Sequence, residues 1–422
     1  MKKFKDILII GSIIPLIKII ILPLSVVSVS LTFLASNCER DTLIPPFKET
    51  PYVIDAPVGM AWWPTANIPA DNPMTVEKVT LGRYLFYDGR LSGRLGCDSQ
   101  MSCGTCHLQK NAFEVGLDNP RFPGGLTKGI PDAQYPNGKP TPHYMLPLIN
   151  LVFNNSGYLW NGMINKNNPN LGSAAYKVPA VMPYHMKNIE GLVWMGIAAQ
   201  HEMNTTVEKA VNMIRSINAN PNYHELFKKA YGDTAITYDR ISKAIACFIR
   251  SLVSYNSKYH QWIRKEIPKL DPSEFRGYTI YMSERGDCFH CHGDPVLLTT
   301  NLFYNNGLDS LFNDPRDRSG YTKNPLDKGK YKPTTMLNIE LTAPYMHDGR
   351  FKTLREVVDH YSDNLVNSPT IDPLMKWIAY GGTKLKESEK NDLIAFLKTL
   401  TDYQFIAEPK FSKPADLKTG CE

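Results

Sequence analysis

The residues best suited to chemistry in this sequence lie in two pentapeptides, Cys103-Gly104-Thr105-Cys106-His107 and Cys288-Phe289-His290-Cys291-His292. Residues three apart on a helical turn share a face, so both thiols of each motif can reach the two vinyl groups of one porphyrin. The histidine that follows is then placed beneath the iron as proximal ligand. Each pentapeptide therefore reads as the attachment site of one haem c, two in all. The bland alternatives are coincidence, or a redox dithiol beside a histidine. Two complete matches are far beyond coincidence for a chain with 8 Cys and 10 His. A zinc site would need two such pairs near each other in one small fold. His290 reads as a spacer inside the second motif. Cys97 and Cys421 have no evident partner, and Cys247 reads as a small core residue.

The elements that must carry these motifs are mostly helical. The better helices of the first half are Val76–Tyr87 and Thr206–Ser216. Near Asp239 the texture changes, and Ile241, Ala244, Ile245, Phe248 and Leu252 fall on one helical face. The last regular element is Glu387–Leu400, with Leu393, Phe396, Leu397 and Leu400 on one stripe. Strand signals are few and short. Asp118 to Pro142 is rich in Gly, Pro, Asn and Asp and reads as a long surface loop. The predicted fold is mainly α, with two cytochrome c-like domains, each carrying one covalently bound haem. They span residues 61–236 and 237–407, with a proline-rich linker over 39–60 and a tail over 408–422. The two motifs form a weak internal repeat, as an old duplication would leave.

At 422 residues, 43% hydrophobic and 21% charged, the chain has room for two globular cores. The net charge of +6 does not point to nucleic acid. Residues 1–38 hold four basic groups and one acidic group, which leaves 43 basic against 40 acidic residues elsewhere. No run of Lys and Arg interleaved with aromatics is present. Residues 1–38 read as an export signal or membrane anchor, with Lys2, Lys3 and Lys5 before a long apolar stretch. Leu34-Ala35-Ser36-Asn37-Cys38 resembles a lipoprotein box in which Cys38 would be lipidated; a retained helix and ordinary cleavage are the alternatives. Either way the folded part is expected in the periplasm, where haem c is attached.

Beyond the motifs, longer phrases carry a family likeness. They are Leu81-Gly82-Arg83-Tyr84-Leu85-Phe86-Tyr87-Asp88-Gly89-Arg90-Leu91-Ser92, then Tyr158-Leu159-Trp160-Asn161-Gly162. Later come Leu341-Thr342-Ala343-Pro344-Tyr345-Met346-His347-Asp348-Gly349-Arg350-Phe351 and Glu356-Val357-Val358-Asp359-His360-Tyr361. From Leu81 to about Thr401 the chain resembles the bacterial di-haem cytochrome c peroxidases and their MauG-like relatives. The resemblance implies a peroxide-reacting first haem and a second haem that holds or relays electrons. Trp160 matches the tryptophan that helps electrons cross between them; its bland reading is a packed core residue. Glu202 matches the carboxylate of the distal pocket, which moves a proton during peroxide cleavage; without the match it would read as a solvated charge. Many of the peroxidases carry a histidine on the distal side of the first haem. The loop from Lys128 to Pro142 has none, and His143 follows slightly out of register. An open first haem, needing no reductive activation, is the expectation.

At the second haem, Tyr361 matches the distal tyrosine of the MauG-like proteins, where the peroxidases have methionine. Met346 and His360 are rival ligands, and Tyr361 could instead simply pack at a helix end. The resemblance also implies calcium held partly by the backbone of Thr342 and Pro344, although Tyr144 stands where the family has a ligating asparagine. Three functions follow. The leading one is reduction of hydrogen peroxide to water with electrons from a small cytochrome or cupredoxin. The second is a MauG-like oxidase that modifies a protein or small molecule through a high-valent iron state. The third is a non-catalytic electron-transfer cytochrome.

Overall fold

In the computed structural model, thirteen α-helices and short 3-10 turns make up the regular structure among the described residues. It describes residues 47–419 apart from 61, 95, 97–99, 129–140, 142, 166–187, 200–201 and 218–220. The export segment with Cys38, Cys97, Cys421 and most of the loop from Lys128 to Pro142 thus lie outside the described residues. The helices are α1 Val76–Tyr87, α2 Cys103–Cys106, α3 Ile189–Ala198, α4 Val207–Ser216, α5 Tyr223–Tyr231, α6 Tyr238–Ser251 and α7 Lys258–Ile263. After them come α8 Pro272–Tyr281, α9 Phe289–His292, α10 Arg318–Thr322, α11 Leu354–Asp363, α12 Glu387–Lys398 and α13 Tyr403–Ala407. Extended pairing among the described residues is confined to isolated bridges. None of the described helices is long and apolar enough to cross a membrane.

Two helix crossings organise this architecture, and they repeat each other. Thr75 caps α1, its hydroxyl accepting from Lys78 N at 3.2 Å, and Thr237 caps α6 in the same way. Leu81, Leu85 and Phe86 of α1 are fully buried, as are Ile241, Ala244, Ile245, Phe248 and Leu252 of α6. At the crossing Gly82 lies so close that an added Cβ would sit 1.9 Å from the Ala244 carbonyl and 3.0 Å from Phe248 Cβ. In the second crossing a Cβ added at Gly277 of α8 would sit 1.9 Å from the Asp392 carbonyl and 2.8 Å from Phe396 Cβ of α12. In both, a glycine on the helix preceding a Cys-x-x-Cys-His motif admits a carbonyl and the phenylalanine four residues later. Replacing either glycine by valine is expected to lower stability by about 1–3 kcal/mol through overpacking, measured as a lowered urea midpoint; an unchanged midpoint would mean that the helices can part freely.

Packing departs from the expected segments in two places. Helix α6 begins just after residue 236, yet it buries its face against α1 and α3 and completes the core around the first motif. The buried Arg250 of α6 makes a bidentate pair with Glu190 of α3 at 2.7 and 2.8 Å. Local periodicity shows that a helix exists but not which neighbour it covers. The segment after 407 is no free tail. Arg83 donates to the carbonyls of Ser412 and Pro409, Tyr87 donates to Phe411 O, and Phe411 and Leu417 are buried. The residues from Glu49 onward form one compact unit.

Candidate functional site

Each Cys-x-x-Cys-His motif forms a single helical turn, α2 and α9, at the edge of a cavity. Behind each turn the histidine is held the same way. His107 Nδ1 lies 2.7 Å from the carbonyl of Phe113, six residues on. His292 Nδ1 lies 3.3 Å from the carbonyl of Leu298, again six residues on, and 3.0 Å from that of Thr334. Phe113 and Leu298 both have left-handed backbones, with φ of 61° and 50°. A carbonyl can only accept, so Nδ1 carries the proton and the Nε2 lone pair is left to ligate. Burial holds both imidazoles below the ordinary histidine range, and so in the neutral form a metal requires. Burial likewise pushes the thiols of Cys103, Cys288 and Cys291 up to about 12. A neutral thioether suits such surroundings better than a zinc-bound thiolate.

The first cavity, about 290 Å³, is lined by Cys103, Cys106, His107, Trp160 and Glu202 within largely apolar walls that include Phe86, Leu148 and Ile249. Glu202 is brought there by a clamp. Arg94 Nε donates to the Glu202 carbonyl at 2.7 Å, while Ser92 Oγ and Gly93 N donate to the Met203 carbonyl. The clamp is anchored in turn by Asp88, fully buried, which accepts from Arg90 and from Tyr223. The carboxylate lies over Gly196 of α3, where a Cβ would stand 2.6 Å from Oε2. Alanine at 196 is therefore expected to push the carboxylate aside with little loss of stability, because only the end of a flexible side chain must move. A displacement of that order costs roughly 10²-fold in turnover; steady-state rates and a melting curve together would check it.

The second cavity, about 190 Å³, is lined by Cys288, Cys291, His292, Tyr331, Met346, His347 and Tyr361, and Trp160 and Lys332 line both cavities. The indole Nε1 of Trp160 donates to Tyr144 O at 2.7 Å, and its ring meets those of Tyr331 and His347 edge-on at 6.5 and 6.4 Å. Of the three rival residues at the second haem, Tyr361 and Met346 face the cavity. Asn306 Nδ2 donates to Tyr361 Oη at 3.0 Å and lies 3.6 Å from Met346 Sδ. His360 does not line the cavity; its Nε2 points to Asn306 O and its ring packs on Phe351. His290 also faces away, toward Glu284, Asp287 and Lys376.

His143 lines the first cavity, but its Nε2 lies 2.9 Å from Asp314 Oδ2 and its ring packs on Tyr331 and His347. Tyr144 reaches toward Thr342 and Pro344: its hydroxyl donates to Ala343 O at 3.3 Å and accepts from Gly116 N. Beside them burial holds Glu114 well above the usual carboxylate range.

The comparisons with known proteins bear on this geometry. A family model described as di-haem cytochrome c peroxidase matches residues 76–267. The chain is 28% identical to the methylamine utilization protein MauG of Methylophilus methylotrophus, over 79% of this chain and 84% of that one. It is 29% identical to cytochrome-c peroxidase IdrP1 of Pseudomonas sp. (strain SCT), over 82% and 86%. The chain is thus similar, over most of its length, to di-haem cytochrome c peroxidases and MauG proteins. A solved MauG-like protein associated with microbial copper homeostasis superposes with a TM-score of 0.67 at 29% identity, over 86% of this chain and 99% of that one.

In this site the residues that sequence reasoning passed over are Lys332, Asn306 and Gly196. Asn306 and Gly196 sit outside the quoted phrases, and no spacing marks them. Lys332 stands among Pro and Thr with no helical period, and only its burial singles it out.

Proposed function

We propose that the protein is a di-haem c-type peroxidase of the periplasm that reduces hydrogen peroxide to water, with electrons from a small cytochrome or cupredoxin. The balance is one H2O2, two protons and two electrons giving two waters. In this reading the chain forms two cytochrome c-like halves, one holding a haem on Cys103, Cys106 and His107, the other on Cys288, Cys291 and His292. Bound there, the irons supply the electrons and the Lewis acidity for O–O cleavage. The observation that carries the reading is Glu202 lining the same cavity as His107. Its carboxylate can take the proton from the inner peroxide oxygen and return it to the outer one, so that water leaves. The apolar walls exclude competing water, and Trp160, in the wall common to both cavities, is the aromatic group through which electrons cross. The engagement of His143 with Asp314 supports a first haem open to peroxide without prior reduction.

One observation favours the MauG-like alternative. Tyr361, not His360, faces the second cavity, and a phenolate ligand would favour oxidised iron where a thioether would raise the potential. Calcium stays the weakest element, because Tyr144 stands where the family has a ligating asparagine. The deciding experiment is a spectroscopic titration of the holoprotein with reductant and then peroxide. Two haems, one of them high-spin in the oxidised protein, and rapid turnover with a reduced donor are expected. Two haems that are low-spin in every redox state would leave only an electron carrier.

A further inference from the structure

Lys332 is 7% exposed and lies in the wall that both cavities share. Its Nζ donates to Ser156 Oγ at 2.6 Å and to Asn154 Oδ1 at 3.3 Å, both neutral, and lies 4.9 Å from the centre of the Phe303 ring. The charged group nearest in influence is another cation, Arg318, whose guanidinium stacks on the same ring at 3.7 Å. Among the described residues no carboxylate reaches Lys332 within ion-pair distance. A buried ammonium without a counter-ion is strongly disfavoured; burial first, then Arg318, depress its proton affinity to about 7. The place therefore calls for an anion that the chain does not supply. Its backbone N–H also donates to Trp160 O at 2.8 Å, which ties the lysine to the relay residue.

We infer that Lys332 is the counter-charge of a haem carboxylate at the boundary of the two cavities, and that it sets the potential of the haem it pairs with. This rests on the di-haem reading above. A fixed positive charge beside a haem stabilises the added electron, so Lys332 raises that haem's reduction potential and biases electron passage across Trp160. Lys332 is a positioning residue, since it acts through the haem and not on peroxide.

The test compares the wild-type holoprotein with Lys332→Met and Lys332→Arg by haem count, spectroelectrochemical titration and the propionate bands of the resonance Raman spectrum. Lys332→Met is expected to keep two haems, shift the propionate bands, and lower one haem's reduced-to-oxidised ratio at a given poise about tenfold, a shift of about 59 mV. Lys332→Arg should hold both midpoints near the wild-type values. Two haems with unmoved midpoints and unmoved bands in Lys332→Met would overturn the inference. If Lys332→Met fails to take up haem, Lys332→Arg decides: full loading with retained midpoints supports charge pairing, and failure alike means the residue matters only for shape. A wild-type protein without haem would overturn the di-haem reading itself, and the haem count tells that failure from the other.

Discussion

Replacing Glu202 with glutamine is expected to lower peroxide turnover about 10²–10⁴-fold, the usual worth of a positioned general acid–base group. The amide has nearly the shape of the carboxylate, so the cavity should keep its form. The clamp from Ser92, Gly93 and Arg94 grips the backbone carbonyls of Glu202 and Met203, not the side chain, and survives the change. What is lost is the ability to accept a proton from one oxygen and deliver it to the other. Steady-state turnover with a reduced donor, alongside the haem content, measures this. Turnover within about threefold of wild type would assign the proton transfer to another group.

The second large effect is on stability. Changing Arg250 to methionine strands Glu190, which is 3% exposed, and breaking a buried pair this way costs about 3–5 kcal/mol. Glu190 then keeps the side-chain amide of Asn72, which donates to Oε1 at 2.7 Å. The pH dependence gives the sharper test. In the wild type, burial raises the Glu190 pKa, but the hydrogen bonds and charge of Arg250, with Asn72, outweigh it and hold the carboxyl below its usual range. A group so depressed contributes stability above the ordinary pKa of about 4.3, and loses it as pH falls through the folded-state value. Without Arg250 only Asn72 and a backbone N–H oppose the desolvation, which is the largest influence, so the folded pKa is expected to move above the ordinary value and stability to be lost as pH rises. The difference between variant and wild type should therefore be widest near neutrality and narrow toward pH 4. Thermal melts across that range would show it, and a pH-independent difference would mean that packing, not charge, dominates. Adding Glu190→Leu should recover much of the loss, since a well-packed apolar pair often matches a buried ionic one.

Much of this was legible from residues alone, where the information is local. The paired motifs, the caps and faces of Val76–Tyr87 and Thr206–Ser216, and the stripe of Glu387–Leu400 are all set by neighbours within one or two turns. The core role of Cys247 was equally plain, and it is fully buried. The order of the longer phrases carried the likeness to the family, because Asp88, Arg90 and Ser92 each hold the turn that presents Glu202. Less was legible where two segments far apart had to meet. Helix α6 announced its apolar face but not its partners, and the segment after 407 gave no hint that Arg83, Tyr84 and Tyr87 bind it down. The two glycine–phenylalanine crossings show the repeat more clearly than the sequence does, since one residue type at each of two contacts is too little to detect without the contact.

By itself the sequence determined where the two Cys-x-x-Cys-His turns lie, because thiols three apart followed by histidine need only one helical turn to share a face. Only the tertiary structure decided which of two adjacent residues faces the second cavity. Neighbours on a helix point about 100° apart, so Tyr361 looks in while His360 looks away. It alone brought Arg94 onto the Glu202 carbonyl, and Trp160 and Lys332 into a common wall, because such convergence joins chain segments more than a hundred residues apart.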